Sequence, residues 1–282
     1  MIIALTKGYL CPSISFDGKV HSVFTRSVNI VTDLKQTPWV SLLDASLPET
    51  PTAFQCSFAL STDLTSRLNM GDSVFMRGGV IRFPSCSSLI INTLTATDWG
   101  KAPSLSQVNK EKIKKNVLIA ETLLTDYISL NNKEHISSTS AYLNYLHIVT
   151  PNSIQVEPEQ LISNIGKGKG LTPSGDDFLI GVLAVLSALH NTIPEADVIY
   201  HRLKASMLYV IDKTTDISAH YLTIALSQHF SHPVQWLVYH LFHATDKNEI
   251  QAAVTTNLSI GSSSGVDTIA GILYCINELL LR

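Results

Sequence analysis

The chain has 282 residues, with 20 Lys and Arg against 23 Asp and Glu and a formal net charge of −3. That balance excludes a nucleic-acid binder held by bulk electrostatics, which needs a basic excess. Charged residues make up 15% and hydrophobic ones 45%, which excludes disorder and, with a mean hydropathy of +0.19, points to a subunit that buries neutral surface against copies of itself or unlike partners.

The opening MIIALTKGYL has no basic segment before its apolar residues, and the longest apolar stretch, Phe178 to Leu189, falls short of the ~20 residues a bilayer requires. Neither a secretory signal nor a membrane contact is expected, and residence is expected to be cytoplasmic. Cys11, Cys56, Cys86 and Cys275 show no C-x-x-C spacing, so reduced thiols are the expectation.

From Met1 to about Trp99 short apolar or alternating runs read as strands, at 39–43, 53–60, 73–76, 80–83 and 89–94. Gly78-Gly79 has the signature of a tight hairpin, and Leu68 to Asp72 supplies a turn. From Leu105 to Leu130 the apolar period becomes helical, with Lys110, Lys112, Lys114 and Lys115 as a solvated face. Further helices are expected at 158–165, 177–190, 194–212, 216–229, 233–243, 248–257 and 266–280. The predicted class is α+β, with a small β-barrel or sandwich-like domain over 1–100 and a mainly α-helical domain over 101–282.

Chemistry concentrates in Gly166-Lys167-Gly168-Lys169-Gly170-Leu171-Thr172-Pro173-Ser174-Gly175-Asp176-Asp177, ahead of a nearly all-apolar helix. Such a loop can turn backbone N–H groups of Gly168, Gly170 and Gly175 toward a phosphate or carboxylate, with charge from Lys167 and Lys169 and donors from Thr172 and Ser174. Asp176 and Asp177 are candidate catalytic residues and candidate Mg²⁺ ligands. Helix capping by Ser174 with Asp177 three residues on is the structural alternative. The spacing matches neither a Walker loop nor a dinucleotide fingerprint, and no G-x-S-x-G elbow occurs.

A second loop, Gly261 to Gly271, repeats S-G-x-D-x-x-x-G: Ser174, Gly175, Asp177 and Gly181 correspond to Ser264, Gly265, Asp267 and Gly271. Two helices packed through close backbones at the final Gly would bring both loops, with Ser263, to one cleft; chance recurrence of helix-start residues is the alternative. Thr215, Ser218 and His220 lie at a third helix start, with His220 as a proton carrier near neutral pH or Thr215 as a plain cap. His229, His232, His240 and His243 lack accompanying Cys or Asp and fit a helix–turn–helix surface better than zinc.

At Gly170 to Leu179, and more diffusely at Thr214 to Ser218 and Ser264 to Asp267, the sequence resembles the bacterial AllH family. That resemblance implies a subunit of an oxamate carbamoyltransferase acting in ureide breakdown, where oxalurate and phosphate give oxamate and carbamoyl phosphate. It implies other carbamoyltransferase subunits as partners, or a homo-oligomer, and a small anionic ligand such as phosphate, carbamoyl phosphate or oxamate. A non-catalytic scaffold subunit and a stand-alone Mg-dependent phosphotransferase are the other readings.

Overall fold

The computed structural model describes residues 1–58, 63–105, 108–132, 136–150 and 158–281, and the chain divides into two compact units, Met1–Lys101 and Ala102–Arg282. The first is a closed β-barrel. Its strands are β1 (Ile2–Lys7), β2 (Phe16–Phe24), β3 (Ser27–Thr32), β4 (Trp39–Asp44), β5 (Ala53–Cys56), β6 (Ser73–Arg77), β7 (Val80–Arg82), β8 (Ile90–Asn92) and β9 (Thr97–Asp98). They run β5-β4-β3-β2-β6-β7-β8-β1, and pairing of β1 with β5 closes an eight-stranded ring, with β9 added beside β1.

Alternation decides which side chains point inward. In β6, Val74 and Met76 are buried while Ser73 and Arg77 are exposed. They join Phe16, Val28, Ile30, Leu42, Phe54, Ile81 and Ile91 in one apolar core. The hairpin expected at Gly78-Gly79 pairs Arg77 with Val80, and φ of 55° and 71° at the two glycines is what a two-residue turn with primed geometry demands. Sequence reading named no individual strand before Trp39; β2 and β3 interleave Lys19, His21, Ser22 and Asn29 with their apolar residues. The strand expected over 53–60 ends at Cys56; Ala59 and Leu60 lie outside the described residues.

The second unit is helical: α1 (Lys110–Asn132), α2 (Thr139–Tyr145), α3 (Pro158–Leu161), α4 (Ser174–Leu189), α5 (Pro194–Met207), α6 (Asp216–Ala225), α7 (His232–His243), α8 (Lys247–Leu258) and α9 (Ser264–Ile276). Helices α4 and α9 form its centre, every residue of α9 after Ser264 being buried. α9 continues through a π-helical turn at Asn277–Leu281. Ser264–Leu281 is long and apolar enough to cross a membrane by composition, with a mean hydropathy of 1.3, but 72% of it is buried inside this unit. A core position accounts for that apolarity. The buried Asn116 of α1 donates to the carbonyls of Leu241 (3.2 Å) and Ala244 (3.1 Å), satisfying C-terminal groups that α7 leaves open.

Candidate active site at two paired helix starts

Helix α4 starts three residues earlier than its apolar pattern suggests, and this alters the role of its first residues. Pro173 is the cap residue and offers no side-chain cap, so Ser174 is the first helical residue and its hydroxyl is not a cap. Ser264 likewise is the first residue of α9, whose cap position, Ser263, makes no capping bond. The capping explanation for Ser174 with Asp177 is thereby overturned. At α6 the cap reading holds, because Thr215 accepts from Ser218 N at 3.1 Å.

The S-G-x-D-x-x-x-G correspondence is structural. A Cβ on Gly181 would lie 2.8 Å from Ile272 N and closer still to Thr268 O, while one on Gly271 would run into Phe178 O. Phe178 and Thr268 are themselves equivalent in the repeat, so each helix's glycine receives the same carbonyl of the other. A side chain at Gly175 would strike Asn164 O and one at Gly265 would strike Asn257 O. Both asparagines are wholly buried. Asn164 O accepts from Lys167 N and Lys167 O from Gly175 N; Asn257 O accepts from Ile260 N and Ile260 O from Gly265 N. The repeat therefore begins at a buried Asn, upstream of the motif the sequence displayed.

Polar groups cross between the halves. Thr172 and Ser264 hydroxyls meet at 2.8 Å. Ser264 and Thr172 hydrogen-bond Asp177, and Ser174 with Ser263 hydrogen-bonds Asp267. Tyr142 of α2 donates to Asp267 Oδ1 at 2.6 Å. Asp177 is 4% exposed and Asp267 0%, and Oδ2 of each is buried without a hydrogen-bond partner. Burial pushes Asp177 well above the usual carboxylate range, and the charges of Asp267 and Asp176 add to the rise. Asp267 is raised as well, by burial, against the pull of its hydroxyl partners. Tyr221 of α6 is pushed up to about 12 by burial and by the neighbouring Asp177.

Asp176 behaves differently from its neighbour. Its Oδ1 accepts from Gly166 N at 2.8 Å and its Oδ2 from the hydroxyls of Thr214 and, at 2.6 Å, Ser218. It braces the glycine loop against the start of α6. Among the described residues no group of three or more His, Cys, Asp or Glu is placed to hold a metal ion, so the structure brings no ligand set to the Mg²⁺ expectation. Nor does His220 titrate near neutrality as the sequence suggested, since burial lowers its pKa to about 4.

The glycine loop is shaped by left-handed residues, with φ of 118° at Gly168 and 91° at Gly170. Thr215 Oγ1 fastens it by donating to Leu171 O. The amide of Gly175 donates to Lys167 O, and those of Asp176 and Asp177 to Pro173 O. Lys169 and Gly170 are exposed, while half-buried Lys167 reaches Asn164 Oδ1 at 3.4 Å. His232 and His240 pack against Trp236, and His243 stacks on Tyr239, with ring centroids 4.6 Å apart in that last pair.

A family model described as oxamate carbamoyltransferase subunit AllH matches residues 164–276, and the AllH family N-terminal domain model matches residues 5–113. The chain belongs to the AllH family. That membership indicates a subunit of the oxamate carbamoyltransferase complex. The AllH match runs from the buried Asn164 that opens the first half of the repeat to Ile276, the last residue of α9, so the matched segment contains both halves. No solved structure matches the chain. Sequence reasoning gave no role at this junction to Tyr142, Tyr221 or the two asparagines, and named Thr214 only as part of the stretch that carries the resemblance. Asn164 and Asn257 stand ten and seven residues ahead of their serines, so the spacing of the repeat does not align them; Tyr142 sits on a seven-residue helix with no apolar period to reveal it.

Proposed function

We propose that the chain contributes a substrate-binding site to oxamate carbamoyltransferase, and that this site is the junction of α4 and α9 around Asp177 and Asp267. The observation that carries the reading is the pair of buried, unpartnered carboxyl oxygens, one from each half of the repeat. Burying a polar atom without a partner costs about 1–3 kcal/mol, and such a cost is retained where a ligand supplies the partner. The half-buried Thr172, Ser174, Ser263 and Ser264 lie beside the pair, hydroxyls able to bond a small polar molecule. A phosphate group needs free donors. With the Gly175, Asp176 and Asp177 amides engaged, the exposed arc of the loop at Gly168, Lys169 and Gly170 is the better place for it.

The test is carbamoyl phosphate formation from oxalurate and phosphate by the assembly copurified with this chain. Asp177→Asn and Asp267→Asn keep the side-chain shape, and each is expected to cut turnover at least about 100-fold, the scale of a lost positioned proton donor or acceptor. Unchanged turnover in both variants would place the substrate elsewhere.

A further inference from the structure

Helices α7 and α8 enclose a cleft of about 410 Å³ that has no part in the junction of α4 and α9. α7 contributes His232, Trp236 and His240, four residues apart and so on one face, together with Pro233; α8 contributes Glu249 and Ala252. The indole of Trp236 has an imidazole on either side, with ring centroids 5.8 Å away at His232 and 5.5 Å away at His240. Trp236 Nε1 is enclosed and has no hydrogen-bond partner, so the indole offers the cleft ring carbon rather than a donor. The wall is held in place, because Pro233 O accepts from Nδ2 of the buried Asn257 at 2.9 Å.

Charge decides what such a cleft can hold. Glu249 is the one carboxylate in the lining, and no Lys or Arg lines it among the described residues. Its Oε2 accepts a long bond from Thr245 N at 3.3 Å, and the ion pairs of the described residues lie elsewhere. A position in the first turn of α8 suits a carboxylate for the sake of the helix dipole alone. That does not account for an indole and two imidazoles gathered beside it. An anion in the cleft would meet Glu249 as a like charge, and a neutral ligand would take water from the carboxylate and give nothing back.

We propose that the cleft between α7 and α8 binds a small organic cation, a guanidinium on a short apolar stem. The planar cation lies against the indole of Trp236, drawn to its π-electrons, and its N–H groups donate to the Glu249 carboxylate. The stem runs along Pro233 and Ala252. The volume of the cleft lies toward the lower end of the range of small-molecule sites, which suits a ligand of this size.

The experiment titrates the full chain in its purified assembly with butylguanidinium and with butylurea, which has nearly the same shape and no charge. Tryptophan emission and heat are followed together. The other tryptophans, Trp39 and Trp99, belong to the barrel unit, so an emission change that disappears in Trp236→Phe reports on this cleft. Butylguanidinium is expected to bind at least about tenfold tighter than butylurea, the scale of a charge-assisted pair. Glu249→Gln, at an exposed position, is expected to erase that difference, and Ala252→Leu, which fills the cleft with uncharged carbon, to abolish binding of both compounds. Equal affinity for the two in the unaltered protein would overturn the proposal and leave an apolar cleft without charge preference. Failure of both to bind, or butylguanidinium binding that survives Glu249→Gln and Ala252→Leu undiminished, would overturn it as well.

Discussion

Replacing Gly181 with Ala puts one methyl group into the crossing of α4 and α9. On the present backbone that carbon would lie 2.8 Å from Ile272 N and 3.1 Å from Gly271 C, and nearer still to Thr268 O, where carbon contacts normally run to about 3.5–4.0 Å. All three neighbours are backbone, so no rotamer change relieves the overlap, and α9 must retreat by roughly 1 Å through a close-packed interior. Helix propensity opposes this, Ala being better than Gly by about 1 kcal/mol. Overpacking costs about 1–3 kcal/mol and occasionally more; with the loss spread along two helices buried on all sides, the expected net effect is a destabilisation of about 2 kcal/mol. At 2–4 °C per kcal/mol for a domain of this size, Tm falls by roughly 4–8 °C. Differential scanning calorimetry reads it, with Gly100→Ala as control because a Cβ there meets nothing within 4 Å. Gly271→Ala is the equivalent insult, and the double variant should lose less than the two singles combined, since a separation made for one methyl admits the other. A Tm that stays level or rises in Gly181→Ala would mean that propensity alone decides, and the close crossing would be refuted.

Tyr142→Phe removes the hydroxyl 2.6 Å from Asp267 Oδ1 and should cost about 1.5–3 kcal/mol in urea unfolding at pH 7, the range for hydrogen bonds to charged groups. Asp177 binds its proton more tightly folded than unfolded, so its contribution to stability falls as pH rises from about 4, the unfolded value, through the raised folded one. Asp177→Asn should remove that slope, and urea midpoints from pH 4 to pH 8 should move progressively in the variant's favour; parallel curves would disprove it. His220 has the opposite sign, its folded pKa being lowered to about 4 by burial, so stability present above pH ~6.5 is lost on acidification toward 4, and His220→Gln should flatten that limb. Among the thiols, burial pushes Cys11 up to about 12 and raises Cys56 and Cys275 further. At Cys86 slight burial opposes ionisation but Ser88 and Arg67 prevail and lower its pKa. One thiol of the four should therefore react rapidly with a disulfide reagent in the native state, and mass spectrometry should find it at Cys86.

The class of each half was legible because it depends on period alone. The turn at Gly78-Gly79 was legible for a stronger reason: two successive residues at positive φ admit few others. The S-G-x-D-x-x-x-G repeat carried the most information, since the final glycine of each copy answers to a carbonyl of the other helix. What stayed hidden was pairing at a distance. Nothing local shows that Tyr142 will meet Asp267 across 125 positions of sequence. Asp176 and Asp177, adjacent and alike as letters, diverge because one turns to Gly166, Thr214 and Ser218 while the other turns to Ser264 and Thr172. The alternative that made Ser174 a cap fails by one position, because Pro173 takes the cap role and leaves the hydroxyl for the opposite loop.

The ring closure of the barrel bears on how this protein is made. β1 is the keystone, with Ala4 opposite Cys56 on one side and Ile2 opposite Ile91 on the other. A ribosome synthesises it before either partner, and the hairpins β2–β3 and β6–β7 can form while it waits. Loop-closure entropy must be met before these distant pairings reward it, so both seams belong to the late stages of folding. During that interval β5 and β8 offer unpaired backbone edges to neighbouring nascent chains. The yield of usable protein is then governed by how fast one six-residue strand finds its place, rather than by the stability of the finished ring.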